Sequence, residues 1–232
     1  MDLWVGIAIL VIFYILYNKD EIESFITTRK ICNDLDGRCY QTVNKFKNQK
    51  KASELLAELN KFNITFLKHL RNKYIWNYHP NKHARDIVEF LISNYNPDGI
   101  IENAPVNDVN TSYVDNKGVV FAICLREKLT GNNHFHDLHD LEFVVLHELS
   151  HMATISYGHD KEFWTHFKFL LTEAKEAGLH MPKNYKHDPI NYCSLRVDYS
   201  PYFDNELADI SNEYIPNLDD SVNTIQPDIC FN

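Results

Sequence analysis

The chain has 232 residues, a formal net charge of −9, 44% hydrophobic residues and 13% aromatics, which suffices for one medium domain with a real core plus attachments. No basic stripe or basic tail is available to neutralise phosphates, so nucleic acid is not an expected partner. Five cysteines (Cys32, Cys39, Cys124, Cys193, Cys230) cannot all pair within one chain, which favours a reducing compartment, although Cys32 and Cys39 bracket Asp36-Gly37 closely enough to bridge in an oxidising one.

Leu3 to Tyr17 holds no charged or strongly polar residue. As a helix this run reaches about 22 Å against a hydrocarbon core of about 30 Å, and Trp4, Tyr14 and Tyr17 are placed to extend it at the two interfaces. Asp2 opposes the basic start of a signal peptide, and Tyr17-Asn18-Lys19-Asp20 supplies no small-residue cleavage site. Residues 1–19 are therefore expected to be a transmembrane anchor, with a cleaved signal or a core or interfacial helix as alternatives. Lys19, Arg29 and Lys30 follow the apolar run and none precedes it, which points the rest of the chain to the cytosol.

Residues 20–80 read as a helical stalk or packing region. Apolar residues recur at helical spacing over 38–75 (Tyr40, Val43, Phe46, then Leu55, Leu56, Leu59, Phe62, Phe66, Leu67, Leu70), and His79-Pro80 ends the run. A further helix over about 83–95 stops at the turn sequence Asn96-Pro97-Asp98-Gly99. Two strands are expected around Asn116-Lys117-Gly118, the second of them (Val119 to Ile123) almost wholly apolar. His134, His136 and His139 follow; their spacing matches no closed metal site, so they read as a solvated loop and cap, with a second metal or a pH-sensitive role as the alternative.

The most informative stretch comes next. Asp137 is a good N-cap, and Leu138 to Ile155 reads as a buried helix carrying His147-Glu148-Leu149-Ser150-His151. Residues four apart on a helix lie about 40° round and about 6 Å along its axis, so His147 and His151 can grip one ion while Glu148 stands beside it as a general base. A buried helix with two histidines and a glutamate is costly unless a metal resolves the burial of those groups. The expected cofactor is one zinc ion, which takes three protein ligands in a hydrolase and leaves the fourth position for water. His159, at the turn Tyr157-Gly158, is the favoured third ligand; Glu173 and Glu176 on the following helix remain in contention. Thr154 and Tyr157 stand where a metzincin has glycine and histidine, which excludes that pattern.

The run from His147 to Gly178, with Phe163 and Trp164 at its aromatic position, resembles the SprT-like and WLM zinc metalloproteases. The hairpin before it also resembles uncharacterised WLM-type proteins of large DNA viruses. The similarity covers about residues 110–180. It implies an α+β, zincin-like metalloprotease domain over 81–200, with His147, His151 and His159 as ligands and Glu148 as the catalytic residue.

Beyond Arg196 there is no Lys or Arg, while acidic residues continue to Asp228; residues 201–232 read as a solvated acidic tail. Tyr185, His187, Tyr192, Arg196 and Tyr199 include candidate donors to an oxyanion; nothing in the sequence selects among them, and Tyr192 stands as the nominal choice. The expected function is a membrane-anchored zinc metallopeptidase acting on a protein or peptide through Glu148-activated, zinc-bound water. The alternative is a structural or virion membrane protein that keeps the fold and the metal without turnover.

Overall fold

A computed structural model describes residues 3–17, 28–44, 46–103, 111–127 and 134–212. In chain order these form α1 (Leu3–Tyr17), β1 (Thr28–Cys32), β2 (Cys39–Val43), α2 (Gln49–Leu70), α3 (Lys82–Asn94), β3 (Ile100–Glu102), β4 (Tyr113–Asp115), β5 (Val120–Ile123), α4 (Leu138–Ala153), α5 (Lys161–Glu176), β6 (Ile190–Tyr192) and β7 (Leu195–Val197). The mixed α+β class follows the sequence expectation.

The spanning anchor expected over 1–19 is not supported. Among the described residues no helix is long and apolar enough to cross a membrane. α1 has 15 residues, about 22 Å of rise against a hydrocarbon core of about 30 Å.

The helical reading of 20–80 is corrected over residues 28–43, while its first residues, 20–27, lie outside the described residues. β1 and β2 pair antiparallel with Cys32 opposite Cys39, and a disulfide joins the two. Apolar residues at Tyr40 and Val43 suit a helix face, but Asp36-Gly37 decides the matter, because Gly37 takes φ 70 and turns the chain. Tyr40, Thr42 and Val43 are buried, so β2 covers one end of the core.

α2 contributes Leu55, Leu56, Leu59, Phe66 and Leu70 to the same hydrophobic cluster that holds Leu141, Val145, Leu146 and Leu149 of α4 and Phe167, Leu170 and Leu171 of α5. Each such fully buried aliphatic or aromatic side chain is worth about 2 kcal/mol. Residues 49–76 are thus a layer of the fold and not a separate stalk. Asn81 caps α3 by accepting from Ala84 N at 2.9 Å, which places the helix start one residue before the expected 83.

β5 is the centre of a three-stranded sheet ordered β3-β5-β4, with β3 parallel and β4 antiparallel to it. The turn from β4 to β5 passes through positive φ at Asn116, Lys117 and Gly118. A side chain at Gly118 would lie 2.1 Å from the Asn94 carbonyl oxygen, so glycine is what lets the hairpin close against the end of α3. Behind the sheet, Arg126 and Glu102 form a buried ion pair at 2.7 Å, and Glu102 also accepts from Val43 N at 2.7 Å. That carboxylate ties β2, β3 and the segment after β5 together.

Residues 201–212 correct the expectation of a solvated tail. Ile210 is buried in the core, Asn81 donates to its carbonyl at 2.9 Å, and Lys168 donates to the carbonyls of Asp204 and Leu207 at 2.7 and 3.0 Å. Backbone carbonyls, not side-chain charges, dock this segment, which is why the acid-rich composition conceals it. The acidic stretch from 213 onward lies outside the described residues.

Candidate metal centre and cleft

α4 begins at Asp137, whose side chain accepts from His139 N at 2.9 Å, and runs to Ala153. α5 begins at Asp160, whose side chain accepts from Phe163 N at 2.9 Å. Gly158, at φ 92, turns the chain between them and swings His159 back toward α4.

The result is a convergence of three imidazoles. His147 Nε2 and His151 Nε2 lie 3.0 and 3.2 Å from His159 Nε2, and the three ligand atoms fall within 4.8 Å of one another. Aromatic rings hold them in place. Phe163 stacks on His151 with centroids 4.3 Å apart, and it meets His147 and His159 edge-on at 4.9 and 4.7 Å; Trp164 stacks on His159 at 5.6 Å. Burial, followed by the fields of His151 and His159, pushes the His147 pKa well below its ordinary value. Burial, His159 and Lys117 lower His151 to about 4, and burial lowers His159. All three imidazoles are therefore neutral at pH 7, the form that ligates a metal.

Glu148 is 4% exposed, and burial pushes its carboxyl up to about 8. It faces a cleft made of two adjoining hollows that share Ser112, His147, Glu148 and His159. One, of about 340 Å³, is walled by β4 from Tyr113 to Asp115 and by Ser156, Tyr157 and Gly158. The other, of about 430 Å³, is lined by Phe143, Val144, Trp164 and Phe167 on the helices and by Leu195, Val197 and Tyr199 opposite. Lys117 reaches over the end of α4 and donates to the Thr154 carbonyl at 2.6 Å, fixing β4 relative to the histidines. Among the described residues β4 has a strand neighbour on one side only, which leaves its outer edge facing the cleft.

The alternative ligands are occupied elsewhere. Glu173 is fully buried and accepts from Lys73 Nζ at 2.8 and 2.9 Å, Tyr74 Oη at 2.7 Å and Ser211 Oγ at 2.8 Å. Glu176 pairs with Lys73 at 2.7 Å. Tyr192 lines the second hollow, but its hydroxyl donates to the Cys124 carbonyl at 2.8 Å and lies 2.7 Å from Ser112 Oγ. Burial raises its pKa further above the ordinary phenol value. With that proton committed, Tyr192 stands as a wall of the cleft. Tyr185 is bonded to Asp140, and Tyr199 to Asp204. The three earlier histidines do not cluster: His139 stacks on His180 at 4.3 Å, His136 lies against Cys193, and His134 is exposed. Leu195 and Val197 were not singled out in the sequence, and neither Ser112 nor Phe143 was read as a cleft residue, because no local signal says that long-range pairing brings them to one cleft.

Residues 94–192 match the WLM domain. Over 192 residues the chain is 27% identical to an uncharacterised protein of Acanthamoeba polyphaga mimivirus, covering 83% of this chain and 91% of that protein. It is 31% identical over 103 residues to an uncharacterised protein of Invertebrate iridescent virus 6, covering 44% of this chain and 56% of the relative. A third relative, from Invertebrate iridescent virus 3, is 34% identical over 96 residues, or 41% of this chain and 57% of that one. The chain thus spans little more than half the length of the two iridescent-virus proteins. No solved structure matches.

Proposed function

We propose that this chain is a zinc-dependent metallopeptidase that hydrolyses peptide bonds, with Glu148 as its proton carrier. One observation carries the reading: three neutral imidazoles converge beside a buried carboxyl on the floor of a cleft walled by a strand edge. Three histidine nitrogens are a donor set that zinc takes while keeping one position open. The WLM domain is associated with zinc-dependent peptidases, which supports the reading.

His147, His151 and His159, whose Nε2 atoms converge, would hold the ion. When bound, zinc supplies a Lewis acid that lowers the pKa of water and polarises a carbonyl. Glu148 accepts the proton of the attacking water at its carboxylate and passes it to the nitrogen of the leaving amine. Burial favours the protonated carboxyl and a bound cation would favour the carboxylate, so the group is placed both to take and to give a proton. The outer edge of β4 offers main-chain donors and acceptors to an extended peptide. The apolar hollow around Phe143, Trp164 and Phe167 takes a side chain of that peptide. A protein or peptide fits this cleft and the charge of −9; nucleic acid does not.

Glu148→Gln tests the assignment. Zinc content should stay at the wild-type level while cleavage of a broad peptide library falls by about 10²–10⁴. Equal inertness of wild type and variant, both retaining zinc, would instead favour a structural protein that keeps the metal without turnover.

A further inference from the structure

Outside the three-histidine centre, Cys124, His136 and Cys193 form a second group whose possible ligand atoms lie within 4.8 Å of one another. They come from three separate places in the fold. Cys124 follows β5, His136 immediately precedes the cap of α4, and Cys193 occupies the tight β6–β7 turn at φ 46. The two cysteines are 2% and 1% exposed and are joined as a disulfide.

A disulfide alone has no use for an imidazole, yet His136 Nε2 lies 3.2 Å from Cys193 Sγ. Both sulfurs also sit 3.2 and 3.3 Å from the Arg126 carbonyl oxygen, so the reduced pair has an acceptor in place for its thiols. Glu127 lies beside this group: its Oε2 is 3.9 Å from His136 Nε2, and its Oε1 is buried with no hydrogen-bond partner among the described residues.

We propose that the reduced protein uses Cys124, His136 and Cys193 as a second zinc site, which the disulfide replaces on oxidation. Two thiolates and an imidazole are soft and borderline donors of the kind zinc prefers, and the Glu127 carboxylate or a water completes four. A phosphine reductant breaks the S–S bond with two electrons and two protons, giving two thiols, while its phosphorus takes up the oxygen of one water. Each thiol then releases its proton as its sulfur binds the ion.

The same wall of the cleft is tied down in both states. Tyr192, next to Cys193, donates to the Cys124 carbonyl, and its ring centroid lies 4.7 Å from that of His136. A metal bridge or a disulfide links the β6–β7 turn to the end of β5, so the lining from Leu195 to Tyr199 stays placed whichever redox state prevails.

The test uses the full chain, prepared with zinc under a phosphine or after oxidation, followed by gel filtration and elemental analysis. Two zinc ions per chain are expected in the reduced protein and one in the oxidised protein. One in the reduced and none in the oxidised protein would support this site while removing the three-histidine one. Replacing zinc by cobalt gives a near-ultraviolet thiolate-to-cobalt band that an all-histidine site cannot produce. That band should be present in reduced wild type and in reduced His151→Ala, and absent from oxidised wild type and from Cys193→Ser. Equal metal content in the two redox states, no band in reduced wild type, or a band that survives Cys193→Ser would overturn the proposal. The wild-type comparison needs no variant to fold.

Discussion

Replacing Glu148 by glutamine should stabilise the metal-free protein, and by more as pH rises. The carboxyl is 4% exposed, and burial raises its pKa from 4.5 to about 8. Between those values the folded chain keeps a proton that the unfolded chain has released, so the unfolded state binds fewer protons and wild-type stability falls with increasing pH. The full effect, reached above pH 8, corresponds to about 5 kcal/mol, and at pH 7 to about 3 kcal/mol. Glutamine does not titrate, and the lowered histidines affect both proteins alike, so the difference between the two isolates Glu148. Urea unfolding in chelator at pH 4.5, 6, 7 and 8 should show the advantage of Glu148→Gln over wild type growing by about 3 kcal/mol between pH 4.5 and 7. Zinc should shrink that growth, because a cation beside the carboxylate lowers its pKa. An advantage that stays flat from pH 4.5 to 8 would refute the claim that this carboxyl is buried with no compensating charge.

On the proposed assignment, His159→Ala should weaken zinc binding more than about a hundredfold, since it removes one of three converging imidazoles, as measured by competition with a chromogenic chelator. Glu173→Gln should leave zinc content unchanged but lower stability by about 2–3 kcal/mol in urea unfolding, because it strips the carboxylate partner from Lys73 and Tyr74. Gly118→Ala should cost about 2 kcal/mol or more in the same assay, from the contact with the Asn94 carbonyl and the strain at φ 108.

Local chemistry made several elements legible from sequence alone. The Asp137 cap, the apolar run of α4 and the i, i+4 pair of His147 and His151 are settled within a few residues, as are the stop at Asn96-Pro97 and the turn at Asn116-Lys117-Gly118. The hairpin of β1 and β2 was missed because three-residue apolar spacing satisfied a helix, while the strand needed a partner across the turn. β3 was missed for the same reason: three residues carry no periodicity until β5 lies beside them.

The turn at Tyr157-Gly158 favoured His159 from sequence, but what removes Glu173 from contention lay beyond it: Lys73 and Tyr74, about a hundred residues away, hold that carboxylate by a half-buried ion pair and a hydrogen bond. The docking of residues 201–212 and the meeting of Cys124, His136 and Cys193 are likewise tertiary events. The sequence by itself determined which groups can ligate a metal or carry a proton, because those properties belong to side chains and to a single helical turn. Which of them share one cleft was decided only when distant strands and helices packed, because burial and partner supply are properties of the whole core.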